Sequence, residues 1–283
     1  MTSALIIRTA GTNCDAELMR AFELAGARPT LMHLDRLVAE PRRLEDFDIL
    51  GFPGGFSYGD DIASGRIFAM RLRERLYAGL REAASRGVPM IGVCNGFQVL
   101  VQVGLLPGPP AGEEWPMGNP PRQEASLAGN AEGSFVDTWV RVEANPASRC
   151  IWTRGLIEYF DGERAGAAVE LMRLPIAHGE GRFVVENDRV MQRLEKNQQI
   201  ALRYLDNVNG SQGATAGVCD VSGRIFGLMP HPERYLEWEN HPFWTRLPGA
   251  TRRGDTPGLA MFRAAVEAAG KGAPTGPRIA SAV

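Results

Sequence analysis

The 283 residues are 44% hydrophobic and 23% charged, the composition of a soluble globular protein long enough to bury a sizeable core. A formal net charge of −2 and a pI near 6.1 give no support for binding to nucleic acid or to an anionic membrane. No apolar run approaches the ~18 residues of a membrane span, and the opening MTSALIIRTAG lacks the form of a secretory signal.

In chain order, Ala4–Arg8 predicts a first strand, and the loop Thr9–Cys14 leads into a helix from Asp15, as its cap, to about Ala25 with Gly26 as its stop. Pro29–Leu34 predicts a second strand. Asp35–Phe47 is a connection of undefined form, broken by Pro41. Asp48–Phe52 predicts a third strand that ends in Pro53-Gly54-Gly55. A strand ending in two glycines can turn backbone N–H groups toward an anion, although a plain Pro-Gly turn reads the same. Ile67–Ser85 predicts one long amphipathic helix with an Arg- and Glu-rich solvated face.

Val88–Val93 is a short apolar run suited to a strand buried on both faces, and Asn95–Val103 carries Phe97, Val99, Leu100 and Val103 at helical spacing. Cys94 stands between them, with Gly92 two residues before and Gly96 two after. That is the pattern of a nucleophile elbow, a tight strand-to-helix turn whose glycines leave room for strained backbone. A thiol with a pKa near ~8.5 is only about 3% thiolate at pH 7, and a helix N-terminus and a nearby His both favour the thiolate. Alone, the pattern fits a buried structural cysteine equally well.

Pro107–Pro121 holds many of the 19 prolines and excludes regular structure; it is read as a surface excursion. Phe135–Val142, Glu170–Leu174, Phe183–Glu186, Ile200–Leu205, Ala216–Val221 and Arg224–Leu228 predict strands. Pro257–Ala269 predicts a C-terminal helix, and Lys271–Val283 a loose tail. The early strand–helix alternation argues for a doubly wound, mostly parallel α/β sheet of flavodoxin-like type, with the later strands as an antiparallel or mixed extension and ligands at the strands' carboxyl ends. Residues 1–270 read as one domain. Cys14, Cys94, Cys150 and Cys219 lie far apart with no C-x-x-C pair, which argues against a disulfide framework or a zinc site and fits reduced thiols in a cytoplasm.

A thiol nucleophile needs a base. In LMPHPER, His231 lies between Pro230 and Pro232, and Glu233 follows two residues on; in an extended segment both project to one side. A His oriented by a carboxylate is the partner that a thiol requires. His33 reads as structural, His241 as a surface residue and His178, in AHGEGR, as ambiguous.

PGGFSYGDD (53–61), GVCNGFQ (92–98), AHGEGR (177–182), NGS and AGVC (within 209–219), GLMPHPER (227–234) and AGTNCD (10–15) together resemble a triad-type, class I glutamine amidotransferase. More narrowly, they are similar to the glutaminase subunits of phosphoribosylformylglycinamidine synthase, from purine biosynthesis. The resemblance runs over about residues 4–238. It implies that Cys94, His231 and Glu233 form the catalytic triad and that L-glutamine is hydrolysed to glutamate and ammonia. Gly54, Gly55, Asn95 and Gln98 are then the oxyanion and substrate contacts; AHGEGR, polar and Gly-rich near the active edge, offers His178, Glu180 and Arg182 as candidates for docking, although a plain hairpin loop reads the same. The resemblance further implies a large synthetase partner, which uses ATP and magnesium, and a small third subunit. No G-x-x-x-x-G-K-[ST] loop occurs here, so no cofactor is expected in this chain. Asn130–Phe135 departs from the subfamily pattern at Ser134, and Thr138 replaces an Arg before Trp139.

Overall fold

The structure, a computed structural model, describes residues 1–161 and 168–271. In chain order its elements are β1 (Ser3–Arg8), α1 (Asp15–Leu24), β2 (Arg28–His33), α2 (Leu34–Ala39), β3 (Ile49–Phe52), α3 (Arg66–Arg75), α4 (Tyr77–Ser85), β4 (Met90–Val93), α5 (Asn95–Val103) and β5 (Ala125–Ala128). There follow β6 (Val136–Ala144), α6 (Ile151–Tyr159), α7 (Ala168–Leu171), β7 (Arg173–His178), β8 (Arg182–Val185), α8 (Asp188–Lys196), β9 (Ile200–Tyr204), β10 (Thr215–Cys219), β11 (Ile225–Leu228) and α9 (Pro257–Gly270).

One nine-stranded sheet has the order β2-β1-β3-β4-β11-β10-β9-β6-β7. From β2 to β11 every neighbouring pair is parallel, and from β11 to β7 every pair is antiparallel. The parallel half has the flavodoxin-like order, with its switch point between β1 and β3. The expected fold class is the one found. β5 and β8 form a separate antiparallel pair.

Alternation along β3 shows how the sheet is covered on both faces. A Cβ at Gly51 would touch Leu18 and Phe22 of α1, whereas the next residue, Phe52, lies against Phe68 of α3. On the α1 side, Phe22, Trp152 of α6 and Phe262 of α9 meet edge to face. Each such aromatic pair adds about 0.5–1.5 kcal/mol beyond its burial. On the other side α3 and α5 pack together, and Phe97 of α5 stacks on Phe183.

Several expectations need correction. The long helix over 67–85 is two helices broken at Leu76 (φ −129°, ψ −2°), with neither Pro nor Gly at the break. Leu76 and Tyr77 are both buried there, and the Tyr77 hydroxyl donates to Pro116 O at 3.3 Å. The undefined connection after β2 is α2 and a 3₁₀ turn, Pro41–Asp46. Glu170–Leu171 belongs to α7, and the strand begins later, at Arg173. The residue that caps α1 is Cys14, not Asp15, and it does so without a side-chain bond. Strand β5 and helices α6 and α8 were not anticipated. The Pro-rich stretch is irregular, as expected, but its first residues, Pro107 and Gly108, are buried, and Gln199 donates to Pro107 O at 2.9 Å. Of the expected tail, the residues after Lys271 lie outside those described. No helix among the described residues is long and apolar enough to cross a membrane.

Candidate active site

Four adjacent parallel strands deliver the site. At their carboxyl ends stand the loop to Cys14 (β1), Pro53-Gly54-Gly55 (β3), Cys94 (β4) and the segment to Glu233 (β11). Cys94 takes φ 52° and ψ −106°, a strained conformation for a side-chain-bearing residue, and is followed at once by α5. The glycines make that turn possible. A Cβ on Gly92 would lie 2.5 Å from Gly96 O, and one on Gly96 would lie 1.9 Å from Phe52 O. The N–H of Cys94 is used by Leu228 O (2.8 Å), whereas Asn95 begins α5, where an N–H has no intrahelical acceptor.

His231 and Glu233 are both buried, and the imidazole Nδ1 and Glu233 Oε1 are 2.7 Å apart. The contact is made through the 3₁₀ turn Pro232–Arg234 rather than along an extended segment, so the expected pair forms by a different backbone route. The carboxylate sets the tautomer: Nδ1–H donates to Glu233 and leaves Nε2 free to accept. Burial alone pushes the imidazole down. The Glu233 carboxylate and the Cys94 and Cys14 sulfurs outweigh it and hold His231 well above its ordinary value. Spacing alone also fits His33, whose Asp35 lies 3.3 Å away, but that pair is exposed at the start of α2.

Gly54 is the point where these groups converge. A Cβ there would lie 2.8 Å from His231 Cε1, 3.2 Å from Cys14 Sγ and 3.4 Å from Cys94 Cβ. Only a glycine lets the imidazole come this near the elbow. Gly54→Ala is therefore expected to displace the ring and lower glutamine-dependent turnover about a hundredfold, as misplacement by ~1 Å does elsewhere. An unchanged melting temperature beside the lost rate would locate the effect in the site. Gly55 (φ 135°) bridges Thr12, but the two bridging bonds use Gly54 O and Phe56 N–H, leaving Gly55 N–H outside them.

Two loops close over the α5 N-terminus. Asn95 Nδ2 donates to Asp60 Oδ1 (3.2 Å) and to Gln98 Oε1 (3.0 Å), and Gln98 Nε2 donates to Glu180 O (2.6 Å). Ser64 N–H donates to Glu180 Oε2 at 3.3 Å, and Ser64 Oγ to Asp60 Oδ2 at 2.9 Å. Burial raises the Asp60 carboxyl above its usual value. The first loop is strained, with Tyr58, Asp60 and Ile62 all at positive φ. Cys94 is left only 6% exposed, and its thiol donates to Ala177 O at 3.7 Å. Both ends of the Gln98 amide are thus engaged by protein.

The docking candidates divide. His178 ends β7 and is buried, with Nδ1 3.0 Å from Asn130 Oδ1, so it offers no outward surface. Asn130 Nδ2 donates to the carbonyls of Ser134 and His178, and Asn130 Oδ1 accepts from Gly181 N–H. The imidazole therefore carries its proton on Nδ1, and burial lowers its pKa to about 4, so it is neutral at neutral pH. Glu180 and Arg182 are half-buried; Arg182 Nε donates to Gly129 O at 2.9 Å. His241, expected at the surface, is buried, with Nε2 3.1 Å from Glu170 O. The residues that went unrecognised are Asn130, Asp60, Arg234 and, above all, Cys14. Asp60 and Cys14 lie inside quoted motifs, but nothing local says that they meet the elbow.

The model of the CobB/CobQ-like glutamine amidotransferase domain matches residues 1–267. A subunit of phosphoribosylformylglycinamidine synthase, PurQ of Dehalococcoides mccartyi, is 38% identical over 269 residues, covering 93% of this chain and 96% of its own. The chain belongs to the PurQ family of glutamine amidotransferases. The family member of Thermotoga maritima is 35% identical over 236 residues, covering 83% and 88% of the two chains. A solved structure of PurLQS from the same organism superposes with a TM-score of 0.68 at 31% identity, over 94% of this PurQ-family chain and 98% of that one.

Proposed function

We propose that the chain is the glutaminase subunit of a phosphoribosylformylglycinamidine synthase, releasing ammonia from L-glutamine for a partner synthetase in purine biosynthesis. The observation that carries this reading is the meeting of Cys94 and the His231–Glu233 pair at Gly54, on one edge of the sheet. In it, Cys94 Sγ gives up its proton to His231 Nε2 and attacks the γ-carboxamide carbon. Rotation about the Cys94 Cα–Cβ bond, away from Ala177 O, brings the thiol to the imidazole; such contacts commonly tighten only when substrate is bound. The tetrahedral oxyanion forms beside the N–H groups of Asn95 and Gly55, each such donor accounting for roughly a hundredfold or more in rate. The imidazolium returns its proton to the departing nitrogen, leaving a γ-glutamyl thioester and ammonia. Water, deprotonated by the same His231, then cleaves the thioester to glutamate and frees the thiol.

Glutamine enters when the loops carrying Asp60 and Glu180 part, and the Gln98 amide then exchanges a protein contact for one to substrate. Ammonia is mostly ammonium at neutral pH and no longer a nucleophile, so it is consumed inside an assembly. The relatives' shared name as a synthase subunit and the PurLQS structure support a synthetase partner and a small third subunit. ATP and magnesium belong to the synthetase. Residues 1–270 work as one amidotransferase unit in the cytoplasm, with Glu180 and Arg182 at the docking edge. The test is glutamate release by the purified chain with and without its synthetase. Stimulation by the synthetase, and labelling of Cys94 by the glutamine-like electrophile diazo-oxonorleucine, are expected. Labelling of Cys14 instead would reassign the nucleophile.

A further inference from the structure

A second buried thiol reaches the same imidazole. Cys14 Sγ, a ring nitrogen of His231 and a carboxylate oxygen of Glu233 lie within 4.8 Å of one another. Cys14 and His231 Cε1 also share the space above Gly54 that a Cβ would fill. The sulfur is held on three counts. Its backbone N–H donates to Gly54 O (3.2 Å), its thiol donates to Asn13 Oδ1 (3.2 Å), and it accepts from Arg234 Nη2 at 3.1 Å. Arg234 is in turn paired with Glu17 of α1 at 3.4 Å. With its proton directed to Asn13, the sulfur keeps lone pairs for the guanidinium, and it stands within 4.8 Å of a ring nitrogen of His231.

We propose that Cys14 is a positioning residue for His231: its sulfur, anchored by Arg234 and Asn13, fixes the imidazole edge beside Gly54 and stabilises the ring in its protonated form. This rests on the glutaminase reading given above. Cys14 never bonds to substrate. It acts on the step in which the imidazolium returns its proton to the leaving nitrogen, because a ring that loses its proton too readily cannot serve as that acid. The charged and titratable groups facing His231 are Glu233 on its own turn, Cys94 at the elbow, Cys14 with Arg234 behind it, and His178 at the end of β7. Of these His178 is neutral at working pH, Glu233 favours the cation, and Cys14 adds to Glu233 from another element. Burial keeps Cys14 itself a thiol, raising its pKa above the ordinary value, so it does not compete with Cys94 as nucleophile.

The experiment compares Cys14→Ser, Cys14→Val and Cys14→Ala with the unaltered chain, each assembled with the synthetase. It follows glutamine-dependent turnover across pH, with ammonia-dependent synthesis as the control for assembly. Val keeps the volume and removes the polar acceptor; Ser keeps the acceptor. The expected result is that Val and Ala lower kcat about tenfold, the size of one lost hydrogen-bond-strength contact, with KM for glutamine little changed. Their basic limb moves to lower pH by up to about one unit, and Ser restores it. A Val variant with the unaltered profile, or a Ser variant as poor as Ala, overturns the proposal. Should Val and Ala fail to assemble, the basic limb of the Ser variant decides: unmoved it supports the role, moved acidward it overturns it. Cys94→Ala runs alongside. If it stays active with glutamine, the glutaminase assignment fails; if it is dead while Val behaves normally, only the role of Cys14 fails.

Discussion

Cys94→Ala is expected to abolish glutamine-dependent synthesis while ammonia-dependent synthesis by the assembled complex survives. Loss of a nucleophile removes every covalent step, a fall on the order of a millionfold that leaves only background hydrolysis. The side chain is small and the backbone at φ 52° is already imposed by the strand–helix turn, so Ala keeps the geometry without the sulfur. That φ remains strained for Ala as it is for Cys, hence stability is expected to change little. Added ammonia bypasses the thioester entirely, and its use depends on the synthetase alone. Survival of both activities would mean that another group attacks the amide. Loss of both would mean that the substitution disrupts the assembly rather than the chemistry.

How much of this could be read from the chain depends on whether the signal is local. The elbow is local. Gly92, Cys94 and Gly96 declare it because the chain folds back so closely that a Cβ on Gly92 would lie 2.5 Å from Gly96 O and one on Gly96 would lie 1.9 Å from Phe52 O. The parallel strands announce themselves as apolar runs because they are buried on both faces, and the order of elements then gives the sheet class. Helix α6 went unrecognised for a physical reason. Its Gly155 reads as a breaker, yet a Cβ there would strike Ala260 O at 2.3 Å, so the glycine serves a close crossing with α9. Helix α8 did carry a readable start, Asn187, whose side chain accepts from Arg189 and Val190 N–H. Cys14 was beyond local reading altogether. Its place beside His231 exists only because β1, β3, β4 and β11 are laid side by side, a consequence of strand order that spacing does not encode. The same holds for Asn130 and His178, which are 48 residues apart.

His231→Ala is expected to cost nearly as much as Cys94→Ala, and Glu233→Gln less, about a hundred- to ten-thousandfold. Removing the imidazole leaves the thiol without its proton acceptor and the leaving nitrogen without its acid. Because both residues act on one path, the double variant is expected to be no worse than either single one. In Glu233→Gln the carbonyl oxygen can still accept from Nδ1, but the charge that favours the imidazolium is gone. The amide nitrogen must also sit where Glu233 Oε2 is buried with no hydrogen-bond partner. The sign of the pH effect follows from the raised His231. An imidazole held above its ordinary value takes the Cys94 proton and keeps it until the leaving nitrogen needs it, and activity falls as pH rises through that folded value. Without the carboxylate the folded value drops, so the basic limb of the glutamine-dependent profile moves to lower pH. A profile that loses height without moving would make Glu233 an orienting group alone; an unmoved profile of full height would remove it from the mechanism.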